Sequence, residues 1–258
     1  METAAIHPHV ILDCINARRF GVEYQPFVDL RSGEVRCHEA LARFVAADGR
    51  GLPPDRVFGA LHDNPLLLLH TELEMKRLQI AEAPAHGELF VNLDPDSYVA
   101  GEREDGGNLF LPLFVAERQR LVVEIIENLH LRDVTTSERM IAELADADIR
   151  MAIDDLSSSR GLVSYAALMS ACFVKFDRSW LAGEMSARQR TLLTWALAQA
   201  ADLGLVTVLE GVEDETHLAL ARQMGFDLAQ GFLYRDRFIR RGCQPGRAAH
   251  AAPLPAAA

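Results

Sequence analysis

The chain has 258 residues, is 49% hydrophobic and carries a formal net charge of −11. That length suits one large domain, and the acidity argues against binding long nucleic acid, although a small phosphorylated ligand is admitted where divalent cations reverse the local field. The longest aliphatic stretch, Leu66–Leu69, is far short of the roughly 18 residues of a membrane span, no secretory pattern opens the sequence, and the four scattered cysteines suit a reducing cytoplasm better than a disulfide framework.

Residues 1–9 read as a loose end. Glu23–Leu30 and Val35–Phe44 then read as strands joined through Arg31-Ser32-Gly33-Glu34, a link short enough to require an antiparallel hairpin. Helical sequence follows from Asp55 to Glu82, broken near Asn64-Pro65, since proline suits a first helical turn and disrupts an interior. Leu89–Leu93 is a strand, Tyr98–Asn108 a polar loop and Leu121–Ile126 a strand. Thr136–Ala147 is a helix, with Thr135, Thr136 or Ser137 as its N-cap. Strands at Arg150–Asp154, Phe173–Phe176, Val206–Leu209 and Leu228–Leu233 alternate with helices near Leu162–Met169, Ala187–Leu203 and Glu215–Met224. The tail 244–258 reads as flexible.

Strands alternating with helices predict a parallel sheet, and eight of them at this length fit a closed TIM-like (β/α)8 barrel, here with an antiparallel first strand. The expected organisation is an N-terminal extension over 1–19, one barrel domain over 20–240 and a tail over 241–258.

The apolar runs share one property: each ends on a carboxylate, an amide or a lysine. The residues are Glu39, Asn92, Glu124 with Glu127, Asp154 with Asp155, Lys175 with Asp177, Glu210 with Glu213, and Gln230. Taken singly, an acid at a strand end is usually a helix cap or a solvated residue. Repeated at the exits of successive barrel strands, where such barrels place their active sites, they point to one converging site. Glu39, Asn92, Glu124, Asp154, Asp155 and Glu210 offer only oxygen, which suits hard ions such as Mg²⁺ or Mn²⁺. So many acids without cations would repel one another, and two metal ions would relieve that and stabilise charge on a phosphoryl group. Arg43, four residues beyond Glu39, is placed to meet a phosphate oxygen. The histidines show no HExxH or zinc-ligand spacing.

Tyr24-Gln25-Pro26 and Glu39-Ala40-Leu41-Ala42-Arg43, followed by Val91-Asn92-Leu93, Glu124–Glu127, Ile153-Asp154-Asp155, Lys175-Phe176-Asp177, Glu210-Gly211-Val212-Glu213 and Gln230-Gly231-Phe232, resemble the EAL-domain phosphodiesterases in order and spacing over roughly residues 20–238. The resemblance implies a TIM-like barrel that hydrolyses cyclic di-GMP to linear pGpG in bacterial signalling, by in-line attack of an activated water. It implies that Glu39, Asn92, Glu124, Asp154, Asp155 and Glu210 hold two Mg²⁺ or Mn²⁺ ions, with Glu39, Lys175 and Glu210 carrying the chemistry. Gln25, Arg43 and Gln230 would bind substrate, Glu127, Asp177 and Glu213 would support the site, and a homodimer is expected. One departure stands out. After Asp155 the family reads Phe-Gly-Thr-Gly, whereas this chain has Leu156-Ser157-Ser158-Ser159, so the loop is expected to follow another path. A receptor that binds cyclic di-GMP without cleaving it, or a partner-binding regulator, is the alternative.

Overall fold

One sheet holds every strand of the computed structural model, which describes residues 6–126, 134–156, 165–183 and 185–243. The strands are β1 (Phe20–Asp29), β2 (Val35–Val45), β3 (Gly51–Leu52), β4 (Glu88–Asn92) and β5 (Leu121–Ile126), then β6 (Arg150–Leu156), β7 (Phe173–Phe176), β8 (Val206–Leu209), β9 (Leu228–Ala229) and β10 (Ile239–Gly242). From β2 through β4 to β9 neighbours pair in parallel, while β1 runs antiparallel to both β2 and β9 and closes the barrel. The eight-stranded barrel with a reversed first strand is the architecture the sequence predicts. Strands β3 and β10 lie outside the closed ring, β10 pairing antiparallel with β1.

The hairpin forms because Asp29 Oδ1 accepts from the backbone N–H of Arg31 and Ser32, and Gly33 takes φ +76°, which suits a residue without Cβ. The predicted helix break is real: α2 (Pro54–Leu61) stops before α3 (Pro65–Ala81), which Asn64 caps through Leu67 N–H with Pro65 in the first turn. Helix α8 (Ala187–Asp202) begins on a capping box of Ser186 and Gln189.

Three short helices go beyond the sequence reading. Residues 8 and 9 belong to α1 (Pro8–Asn16), whose Ile11, Cys14 and Ile15 are buried. Helix α4 (Pro95–Ala100) takes the start of the expected loop because Asp94 caps it, and α5 (Leu111–Ala116) follows. Helix α6 (Val134–Asp146) begins early enough that Thr135, Thr136 and Ser137 lie inside it instead of capping it. Helices α7 (Tyr165–Ser170) and α9 (Glu215–Met224) complete the set.

The last barrel strand is shorter than predicted. Gly231, at φ +154°, lies so close to the Val212 backbone that a Cβ there would collide with it. Val212 N–H donates to Gln230 O and Leu233 N–H to Val212 O. That segment therefore leaves the ladder, and residues 232–237 form a 3₁₀ turn.

Inside the barrel the packing is layered. Phe27, Cys37, Phe90, Val122, Ala152, Phe173, Val208 and Leu228, one from each barrel strand, make a separate buried cluster. Phe90 packs edge-to-face on Phe27 and Phe173, with ring centroids 4.7 and 4.9 Å apart, contacts worth about 0.5–1.5 kcal/mol each beyond burial. This apolar plug is the floor of the site.

Candidate active site

Strand side chains alternate faces, so the residue two positions beyond an inward-facing one faces inward again. Two steps beyond the plug, Cys37 leads to Glu39, Phe90 to Asn92, Val122 to Glu124, Ala152 to Asp154, Phe173 to Lys175, Val208 to Glu210 and Leu228 to Gln230. On β1, which runs the other way, Phe27 leads back to Gln25, opposite Glu39 in the register. The polar layer above the plug therefore draws one residue from every strand of the barrel. All but the β1 member were visible as the ends of apolar runs.

Asp155 is the exception to alternation. Its φ of +60° is unusual for a residue with a side chain, and the β6–β7 register shifts between Ile153 and Leu156. Such a bulge re-aims a side chain, and it lets consecutive acids serve one site. Carboxylate oxygens of Asp154, Asp155 and Glu210 lie within 4.8 Å of one another.

Lys175 stands at the centre, only 1% exposed. Its Nζ is 2.6 Å from Glu124 Oε1, 2.8 Å from Asp154 Oδ1, 2.8 Å from Glu210 Oε1 and 3.7 Å from Glu39 Oε2. One ammonium faces four carboxylates. Glu39 is further fixed by Asn92 Nδ2, which donates to Oε1 at 3.0 Å, and by Gln230 Nε2, which donates to Oε2 at 2.6 Å. Gln230 Nε2 also reaches Gln25 Oε1 at 3.4 Å.

The charge imbalance shows in the acids. Burial and the neighbouring Glu39 raise the Glu124 carboxyl well above its ordinary range. Burial, with Asp154 nearby, pushes Glu210 up to about 8 despite Lys175, and Asp155 up to about 6. Glu39 goes the other way: burial would raise it, but the Lys175 ammonium and the Gln230 amide outweigh that.

These residues fit divalent cations. Glu124 Oε2 and Gln230 Oε1 are buried without a hydrogen-bond partner, which is costly unless something positive meets them. The carboxylate and amide oxygens are hard donors. A pH dependence follows. Because folding raises the pKa values of Asp155 and Glu210, the stability they contribute is complete below the unfolded carboxylate range, and is lost as pH rises through about 6 and then about 8. Metal-free protein should therefore melt at lower temperature at about pH 8.5 than at about pH 5.5, and Mn²⁺ should reverse this with proton release. Melting curves in chelator and in Mn²⁺ across that range test it; a metal-free midpoint that stays flat or rises counts against the converging acids.

The cleft above the polar layer is lined by Gln25, Glu39, Asp177, Glu210, Glu213 and Gln230, joined by Arg178, Gly211, Gly231 and Phe232. Asp177 also caps the 3₁₀ turn 178–181 through Ser179 N–H. Glu213 N–H donates to His217 Nδ1. Gly211, at φ +69°, lets Arg178 pack where a Cβ would collide with it. Arg178 and Phe232 lacked any strand-end signal, since each lies beyond the residues that close a run. Arg43 does not line this cleft: it lies on the rim, with Nη2 2.6 Å from Glu23 Oε1. Glu127 and the expected altered loop from 157 onward lie outside the described residues.

The sequence profile of the EAL domain matches residues 10–236. The chain belongs to the EAL domain family. The probable cyclic di-GMP phosphodiesterase PdeB of Escherichia coli is 24% identical over 243 residues, which are 90% of this chain and 46% of that protein. The solved structure of the PaMucR phosphodiesterase in complex with c-di-GMP superposes with a TM-score of 0.71 at 24% identity, covering 87% of this chain and 94% of that one. The manganese and cyclic di-GMP complex of Klebsiella pneumoniae BlrP1 gives 0.68 at 22%, covering 83% of this chain and 55% of that one. This EAL chain spans about a quarter to a half of the length of the curated relatives it matches. Among its described residues, no helix is long and apolar enough to cross a membrane.

Proposed function

We propose that this EAL domain is a metal-dependent phosphodiesterase that opens cyclic di-GMP to linear pGpG. The observation that carries the reading is the complete polar layer, one side chain from each barrel strand, with four carboxylates around one buried lysine. Glu39, Asn92, Glu124, Asp154, Asp155 and Glu210 would hold two Mg²⁺ or Mn²⁺ ions. When bound, such ions activate water and stabilise charge on a phosphoryl group. Glu39 and Glu210, beside Lys175, would carry the chemistry.

The protein's own groups then have distinct tasks. Lys175, held at 2.6–2.8 Å from three carboxylates, keeps the ligand set together and presents a positive charge to the reacting phosphate. Asn92 and Gln230 fix the Glu39 carboxylate from both sides, which leaves it one geometry. Gln25 and Gln230 offer amides to the dinucleotide, Arg43 pairs with a phosphate oxygen, and Asp177 and Glu213 complete the cleft wall. Relatives named as cyclic di-GMP phosphodiesterases support the substrate class, and the family resemblance further implies a homodimer.

Turnover of cyclic di-GMP to pGpG, followed by chromatography, tests this. Activity is expected with Mn²⁺ or Mg²⁺ and not with Ca²⁺ alone, because Ca²⁺ takes about 6–8 oxygens at longer bonds than Mg²⁺ tolerates. Micromolar binding with no hydrolysis in any of these ions would instead establish the receptor.

A further inference from the structure

Glu23 is a carboxylate only 2% exposed, on a strand whose other buried residues are mostly apolar. It lies two residues from Gln25 on the inward face of β1 and one level nearer the mouth. Gln25 Nε2 donates to its Oε1 at 3.0 Å, and Arg43 Nη2 reaches the same oxygen at 2.6 Å. Its other oxygen accepts from Arg240 Nε. Arg240 comes from β10, and the register places it directly opposite Glu23. Directly opposed residues in an antiparallel pair project to the same face, so Arg240 stands on the mouth side of the sheet.

Two guanidiniums and one carboxylate leave this rim one positive charge in excess, on a chain whose net charge is −11. A buried carboxylate is costly without partners, and these two arginines supply them. Each arginine carries five N–H donors in a fixed fork, and Glu23 engages only part of each fork. The rest can meet an anion. Arg240 is 58% exposed along its side chain, as an anion site requires.

We propose that Arg240 is a second substrate-binding arginine, which with Arg43 takes the phosphate that is not being cleaved, and that Glu23 is the positioning residue holding both. This rests on the cyclic dinucleotide reading above. A cyclic dinucleotide carries two phosphates, and the polar layer addresses one. The rim pair lies beyond Gln25, on the side of the cleft facing β1 and β2. Nothing in the apolar-run pattern marks it, because Arg240 follows the motifs and Glu23 interrupts a strand.

The test compares parent and Arg240→Ala on two substrates in Mn²⁺: cyclic di-GMP, and bis(p-nitrophenyl) phosphate, which has a single phosphate. The KM for cyclic di-GMP should rise roughly tenfold, about 1.4 kcal/mol, with kcat unchanged. The KM for the single-phosphate ester should not move. Arg240→Lys should recover part of the loss, a point charge replacing a fork, and Glu23→Gln should raise the same KM with the same selectivity. If the parent binds without cleaving, Kd carries the same comparison. Equal effects on both substrates, or none, overturn the inference while the phosphodiesterase reading stands. A parent that neither binds nor cleaves cyclic di-GMP overturns both.

Discussion

Replacing Lys175 with methionine should destabilise the metal-free protein by about 3–5 kcal/mol, the usual cost of removing one partner of a buried ion pair. The side chain is only 1% exposed, and Glu124 beside it is fully buried. Methionine matches the length and leaves the packing nearly intact, so the loss is electrostatic. Four carboxylates would then face one another with no cation among them, and they would take up protons or open the barrel. Two consequences separate this from an ordinary core defect. The destabilisation should shrink at low pH, where the acids are neutral, and in millimolar Mn²⁺, which replaces the missing charge. Denaturation midpoints of parent and Lys175→Met, measured in chelator and in Mn²⁺ at two pH values, decide it. A deficit that is the same in all four conditions would make Lys175 a packing residue. The variant should also lose most hydrolysis even when Mn²⁺ restores its fold, since the reacting phosphate then lacks its ammonium.

The same layer explains how much could be read from the chain. The barrel was legible because eight short apolar runs alternate with helical sequence. The site was legible because a barrel strand that is apolar on both faces has to change character where it leaves the core. Glu39, Asn92, Glu124, Asp154, Lys175, Glu210 and Gln230 mark that change. Gln25 became recognisable only through the family resemblance, since on the reversed strand the polar residue precedes the plug residue Phe27. Asp155 could be named from its neighbour, yet its use of the site depends on a bulge and a positive φ, which sequence periodicity does not encode. Arg178 and Phe232 reach the cleft from the segments after β7 and β9, where no period constrains the reading. The end of β9 was misjudged for a related reason. Leu228–Leu233 is apolar enough for a strand, but the close approach of Gly231 to Val212 diverts the chain. Helix α1 was missed because its buried residues, Ile11, Cys14 and Ile15, are too few to show a period. Backbone approach and loop geometry, more than hydrophobic pattern, account for these differences.

The second large effect is expected at Glu39. Changing it to glutamine keeps the size and removes one charge, and cyclic di-GMP hydrolysis in Mn²⁺ should fall by roughly 10³-fold, about 4 kcal/mol of barrier. Three features set the magnitude. Both carboxylate oxygens already accept hydrogen bonds, from Asn92 at 3.0 Å and Gln230 at 2.6 Å. A glutamine must turn its NH₂ toward one of those donors, so it loses one bond and misplaces a second side chain. The charge lost is also one whose ionised form the Lys175 ammonium and the Gln230 amide favour, since Glu39 is held below its ordinary range while Glu124 and Glu210 are pushed above theirs. Glu39 is therefore more readily available as an anion than Glu124 or Glu210. Binding should suffer far less than turnover, because Gln25, Arg43 and the cleft residues Asp177, Arg178, Glu213 and Phe232 are untouched. The measurement is a pair: kcat in Mn²⁺, and the dissociation constant for cyclic di-GMP in Ca²⁺, where cleavage is not expected. A large loss of kcat with a dissociation constant changed by less than about tenfold assigns Glu39 to the chemical step. Loss of both in parallel would mean that Glu39 mainly holds the site together, and retained turnover would remove it from the site altogether.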